Sequence, residues 1–194
     1  MGEILISSDL HFGHDKDFIY EPRGFQTIEE HDAEIIRRFN RAVGPHDDLY
    51  LLGDLVLGDL EHGHSCLEQL HGNLHIVLGN HDTVNRINMY QELPNVTEII
   101  GHAGRLKYNK YHFYLSHYPT ITDNFDDNKK PWQQVKCLFG HTHQTYNFYN
   151  DNPLMYHVGV DSHDCRPVFM DTIVNDIKQK IMERKEQNER PCIF

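Results

Sequence analysis

The sequence predicts an α/β sandwich, two packed mixed β-sheets flanked by helices, on three observations. In the first half of the 194-residue chain, apolar runs of strand length alternate with amphipathic helical patterns, the signature of βαβ units and a parallel sheet. From Val96 onward, short strand-like runs follow one another across tight Gly and Asn-Lys turns, which fits a second, more antiparallel sheet. Several apolar runs end in Gly or Ser followed by carboxylate, amide or imidazole side chains, so adjacent strands deliver polar groups to one sheet edge.

Taken in order, residues 3–8 form the first strand, and a loop through His11, His14, Asp15, Lys16, Asp17 and Arg23 follows it. Thr27-Ile28-Glu29-Glu30 reads as a capping box, and Ile28, Ile35, Ile36 and Phe39 continue it as an amphipathic helix to about Gly44. A strand over 47–52 leads to Gly53-Asp54, and a short helix over 57–71 stops at Gly72-Asn73. The run 74–78 is apolar apart from His75, as a strand buried on both faces would be, and ends at Gly79-Asn80-His81-Asp82.

A helix over 84–93 ends before Pro94; strands are expected at 96–100, 105–108 and 111–115. A polar loop over 120–131 is long enough to form a rim. Strands at 135–139, about 145–149 and 155–160 precede a last helix, capped at Asp171-Thr172-Ile173 and running to about Asn188.

Length sets one domain over 1–194. Hydrophobic content of 39% and charged content of 24% are those of a globular chain, and no run approaches the roughly 18 apolar residues of a membrane span. Met1-Gly2-Glu3-Ile4 runs into a strand without a basic or separate apolar leader, so a cytoplasmic location is expected. Cys66, Cys137, Cys165 and Cys192 form no Cys-x-x-Cys pair and read as free thiols. A net charge of -11 argues against an extended surface for duplex nucleic acid, which rests on clustered Lys and Arg. Oligomeric state is left open; the tail Cys192-Ile193-Phe194 suits packing on the body or on a partner.

The strand-end groups carry the chemistry. Asp, Asn and His without Cys suit borderline or hard divalent ions, Mn²⁺, Fe²⁺, Zn²⁺ or Ni²⁺, rather than a thiolate structural zinc. One aspartate can bridge two ions, and two ions about 3.5–4 Å apart can clamp the attacking and leaving oxygens of a phosphoryl centre. The order Asp9-x-His11, Gly53-Asp54, Gly79-Asn80-His81-Asp82, Ser116-His117, Gly140-His141-x-His143 resembles that of the calcineurin-like metallophosphoesterase superfamily. Ser-Asp-Leu-His-Phe-Gly-His at the front and His-Tyr-Pro later resemble its small single-domain bacterial and phage members.

The resemblance implies a four-layer fold and two divalent ions, manganese first among them. It places Asp9, His11, Asp54 and His143 on one ion, and Asp54, Asn80, His117 and His141 on the other. It further implies a phosphodiesterase acting on small nucleotide-type substrates through a metal-bridging hydroxide, with His81 donating a proton to the leaving oxygen. The family's larger phosphatases orient that histidine with the second Asp of Gly-Asp-x-x-Asp, where this chain has Leu57. Asp82 and Asp59 are the candidates to replace it.

His14 and Arg23 are candidate phosphate contacts, with Asn80 a further one. Asp161, His163, Asp164 and Arg166 are candidates to orient metal-bound histidines. A second metal site built on His62 and His64 is a minor alternative. So is a nuclease acting on single strands or ends, for which Arg105, Lys107, Tyr108, Lys110 and Tyr111 supply a modest cluster. From another class comes a non-catalytic metal-binding scaffold, which absence of turnover in a metal-replete sample would favour.

Overall fold

The computed structural model describes residues 2–189. Strands β1 (Ile4–Ser7), β2 (Asp48–Leu52), β3 (Asn73–Val77) and β4 (Val96–Gly101) alternate with helices α1 (Asp17–Tyr20), α2 (Ile28–Ala42), α3 (Leu60–Glu68) and α4 (Val84–Glu92). These four strands pair in parallel, and β9 (Val168–Phe169) adds antiparallel to β1, giving the order β4-β3-β2-β1-β9. A second sheet has the order β5-β6-β7-β8, from β5 (Ala103–Tyr108), β6 (Tyr111–Ser116), β7 (Val135–Phe139) and β8 (Met155–His157). Helix α5 (Met170–Glu189) closes the chain.

Local chemistry accounts for the element boundaries. Thr27 Oγ1 accepts from Glu30 N at 3.2 Å, while the Glu30 carboxylate returns to Gln26 N, one residue earlier than the reciprocal bond of a capping box. Asp59 Oδ1 accepts from His62 N at 2.9 Å, which starts α3 at Leu60 rather than at 57. Asp59 is thereby a helix cap.

One apolar cluster lies between the first sheet and α2–α4, around Leu5, Leu49, Leu51, Leu74, Phe39 and Tyr90. A second joins the inner faces of both sheets to α5, through Ile6, Leu52, Val77, Phe113, Leu138 and Ile177. Each fully buried Leu or Ile contributes about 1.5–3 kcal/mol, and the two clusters hold the sheets' carboxyl ends side by side.

Four expectations need correction. Strand β4 belongs to the first sheet, because α4 returns the chain for one more parallel crossover. The second sheet is antiparallel only in the β5–β6 hairpin, turned at Asn109 (φ 53°); β6, β7 and β8 are parallel. Residues 145–149 make no strand beyond one bridge, Phe148 to Tyr156, since Asn150 and Asp151 adopt left-handed φ and turn the chain. The strand expected over 155–160 stops at His157, where the chain crosses to pair Gly159 with Ser8 and enters the tight turn Val160–Ser162.

The two-residue β9 gave too short a pattern to read, and it moves the start of α5 to Met170, leaving Asp171 in the first turn. Cys66, Cys137 and Cys165 are buried free thiols; Cys192 and the tail 192–194 lie outside the described residues. No described helix is long and apolar enough to cross a membrane.

Candidate metal centre

Parallel pairing sets the site. After β1 and β2 end, the two chains stay in step: Asp9 N donates to Gly53 O, His11 N to Asp54 O, and Phe12 N to Leu55 O, at 2.9–3.1 Å. Side chains of residues 9, 11 and 54 are therefore presented together. The second sheet joins through His117, whose Nδ1 lies 2.9 Å from Leu52 O, and through His141 N, which donates to the Asp9 carboxylate at 2.9 Å.

Two groups of donor atoms result, each drawn within 4.8 Å: Asp9, His11 and His143, and Asp54, His117 and His141. They adjoin, with Asp9 Oδ1 4.0 Å from His117 Nδ1. In the second group His117 Nε2 lies 3.2 Å from Asp54 Oδ2, 3.2 Å from His141 Nδ1 and 2.9 Å from Asn80 Oδ1. The Leu52 carbonyl accepts from His117 Nδ1–H, which fixes the ring with Nε2 toward Asn80 and Asp54, where a cation would displace any Nε2 proton and take the lone pair.

In the first group His11 Nε2 is buried without a hydrogen-bond partner among the described residues. A buried nitrogen left so is costly unless it faces an electrophile. Asp9 and His143 beside it make a divalent ion the fitting one.

Burial, then the nearby Arg23 charge, pushes the His11 imidazole down to about 2. Burial and His117 likewise lower His141. Both are held in the neutral form that ligates metals. Burial raises Asp9, whereas for Asp54 the burial penalty is outweighed by His117 and the His81 backbone N–H, so its carboxyl falls below the usual range. A carboxylate pair so buried is expensive without cations between its members.

The backbone is unusual at the same residues. Asp9, His11, Asp54, His141 and His143 all lie in the left-handed region, with φ of 48–65°. The glycines before them serve two ends. Gly53 turns at φ 86°, whereas Gly140 is needed for room, since a Cβ there would overlap Ser8 Oγ and the Asp9 carboxylate.

Asp161 joins the site through His143, whose Nδ1 lies 2.9 Å from its Oδ2. It also receives Arg23 bidentately at 2.9 and 3.1 Å. Burial opposes the Asp161 charge, but His143 and Arg23 hold its carboxyl well below the usual range. Asp161→Asn is expected to weaken metal retention about 10–100-fold on dialysis, while Asp164→Asn leaves it unchanged.

Other candidates fall elsewhere. Asp164 pairs at the surface with Arg38 and Arg166, and His163 Nε2 lies 2.8 Å from His157 O. Arg23 is not free for phosphate: its five N–H donors reach Asp161 twice, Leu10 O, Asp9 O and His31 Nε2. It is a clamp on the loop that carries Asp9 and His11.

Asp82 does not orient His81 either. Its carboxylate accepts from Gly79 N at 2.7 Å, Asp54 N at 3.2 Å and Tyr90 Oη at 2.6 Å, so it ties two site turns to α4. His81 stands half exposed, its Nε2 4.0 Å from Asp54 Oδ2. His14 stacks on His11 at 5.3 Å, with the two Nδ1 atoms 3.1 Å apart, at the rim.

Sequence reasoning passed over two residues. Ser8 Oγ donates to Asp9 Oδ2 at 2.6 Å, and the half-exposed Tyr118 ring lies 4.6 Å from His141 and 5.3 Å from His117. Adjacency to Asp9 and His117 was the available signal.

The family model for the calcineurin-like phosphoesterase superfamily domain matches residues 3–166. The chain belongs to that superfamily. This calcineurin-like phosphoesterase is 32% identical over 187 residues to an uncharacterised protein of Methanocaldococcus jannaschii, covering 92% of this chain and 93% of that one. It is 29% identical over 204 residues to the gene 66 protein of Mycobacterium phage D29, covering 92% and 99%. A crystal structure of a protein of unknown function from Aquifex aeolicus shares the fold, with a TM-score of 0.66 at 21% identity over 90% of this chain and 99% of that one. Calcineurin-like phosphoesterases are hydrolases of phosphoester bonds, and the two donor groups are candidates for the divalent metals that the family usually binds.

Proposed function

We propose that the chain is a phosphodiesterase that uses two divalent ions, manganese favoured, on small nucleotide-type substrates. The observation that carries this reading is the pair of adjoining donor groups, Asp9/His11/His143 and Asp54/His117/His141, with Asn80 completing the second. Asp54 is the proposed bridge. The ions would supply positive charge to the phosphoryl oxygens and lower the pKa of an attacking water.

The chain's own residues do the rest. Water oxygen bonds to phosphorus as one of its protons leaves to solvent, the ester P–O bond breaks, and the departing oxygen takes a proton from the half-exposed His81 imidazole, which solvent then reprotonates. Asn80 and His14 are the proposed substrate contacts. Ser8, Arg23, Asp82 and Asp161 hold the ligand turns in place.

A cavity of about 580 Å³ on the second sheet is our candidate for the part of the substrate beyond the phosphoester. It is walled by Thr120–Thr122, three residues beyond His117, and by Arg105, Lys107, His112 and Tyr114 on the outward face of β5–β6. Arg105 and Lys107 have no carboxylate partner among the described residues. Two cations beside an aromatic ring suit a base and its phosphate. Tyr108 and Tyr111 point the other way into the core, so the cluster expected for a nuclease is split by strand alternation.

Reconstituted protein is to be assayed with Mn²⁺, Ni²⁺, Zn²⁺ or Mg²⁺ on bis(p-nitrophenyl) phosphate and p-nitrophenyl phosphate. Faster diester hydrolysis is expected; activity on the monoester alone would overturn the assignment. Changing Arg105 and Lys107 together to alanine is expected to raise KM for a nucleotide diester about tenfold, a loss of ~1.4 kcal/mol, while sparing bis(p-nitrophenyl) phosphate.

A further inference from the structure

Away from the two donor groups, α2 and α3 bring together a third. Asp32 Oδ2 lies 2.7 Å from His62 Nε2, which lies 3.4 Å from Cys66 Sγ, and all three donor atoms fall within 4.8 Å of one another. His62 and Cys66 stand four residues apart on one face of α3. Asp32 and Cys66 are buried, whereas the His62 side chain is 46% exposed, so the group has a closed floor and an open mouth.

We propose that Asp32, His62 and Cys66 form a third metal site, selective for a zinc-class ion and separate from the phosphoesterase centre. Cys, His and Asp are each zinc ligands, and three protein ligands with water on the open side is the ligand count of an open zinc site. A thiolate in the set separates this site from the sulfur-free donors at the strand ends, since it favours softer ions. Charge balances as well: one carboxylate and one thiolate neutralise a dication.

On binding, the Cys66 thiol releases its proton to solvent and the His62 ring carries its proton on Nδ1, freeing Nε2. Burial and the Asp32 charge hold the empty thiol protonated, up to about 12, so the ion and the proton compete for the sulfur.

The supporting contacts of a ligand site are present. Asp32 Oδ1 lies 2.7 Å from His31 Nδ1, and His31 Nε2 lies 2.8 Å from Arg23. Asp32 Oδ2 also accepts from Gly13 N at 2.9 Å, between His11 and His14. The third site thus shares a ligand with the loop of the first metal group, and an ion there would stiffen that loop. His64, the expected partner of His62, lies instead on the cavity between α3 and α4.

The test is a Co²⁺ titration followed by absorption, because a thiolate–cobalt charge-transfer band in the near ultraviolet can arise at this site and not at the strand-end ligands. The band is expected in the unaltered protein and is expected to vanish in both Cys66→Ser and His62→Ala, with visible cobalt absorption retained. No such band at saturating Co²⁺ in the unaltered protein would overturn the proposal, as would a band that survives in His62→Ala. The reading does not depend on phosphoesterase activity, which is measured separately with p-nitrophenyl esters.

Discussion

Asp54→Ala is expected to lower kcat/KM by more than about 10³-fold and to lose at least one of the proposed ions. Asp54 is buried, with Oδ1 accepting from His81 N at 2.9 Å and Oδ2 3.2 Å from His117 Nε2. Its carboxylate thus ties the β3 turn to the second sheet's ligands. The milder Asp54→Asn keeps the shape and removes the charge. It also keeps a residue type that tolerates φ 54°, and it removes one of two neighbouring buried carboxylates. Activity is therefore expected to fall as far, while the melting temperature in chelator falls only modestly, because in the native state His117 and the His81 N–H favour the Asp54 charge over its burial. Kinetics with metal and thermal melts without it check both halves; a large loss of apoprotein stability would mean that Asp54 is chiefly structural.

His81→Ala is expected to lower kcat about 10²–10⁴-fold on diesters with alkyl leaving groups. The effect on p-nitrophenyl esters is expected to be much smaller, because p-nitrophenolate departs without needing a proton. Metal content should stay unchanged. The variant keeps the backbone N–H that holds Asp54, and the lost imidazole is half exposed and 4.0 Å from the nearest carboxylate oxygen. Comparing the two leaving groups at fixed metal decides the role. Equal losses on both would make His81 a binder of the phosphoryl oxygens rather than a proton donor.

How far the chain could be read beforehand depended on the range of the interaction. Strand-end ligands were visible because each apolar run and its terminal donors are contiguous: Leu49–Leu52 with Asp54, and Val135–Phe139 with His141 and His143. The helix starting after Thr27 was equally local.

Contacts that bridge distant segments were not visible. Nothing near Arg23 announces that its partner is Asp161, 138 residues later, or that its last donors go to main-chain carbonyls of residues 9 and 10. Asp82 adjoins His81 in sequence, yet its bonds to Gly79, Asp54 and Tyr90 face it away. The same limit applied to sheet membership. The run 96–101 has no internal mark of which sheet it joins, since α4, rather than strand composition, sets that choice.

The five left-handed donor residues tie the enzyme's cellular lifetime to its diet of ions. Each such backbone conformation costs on the order of 1–3 kcal/mol, and two of the five, Asp9 and Asp54, are neighbouring buried carboxylates. An ion held at a hundred times its dissociation constant returns about 2.7 kcal/mol to the native state. Metal supply would then govern how often the chain opens to proteases, so starvation for the ion would reduce the amount of protein as well as its turnover.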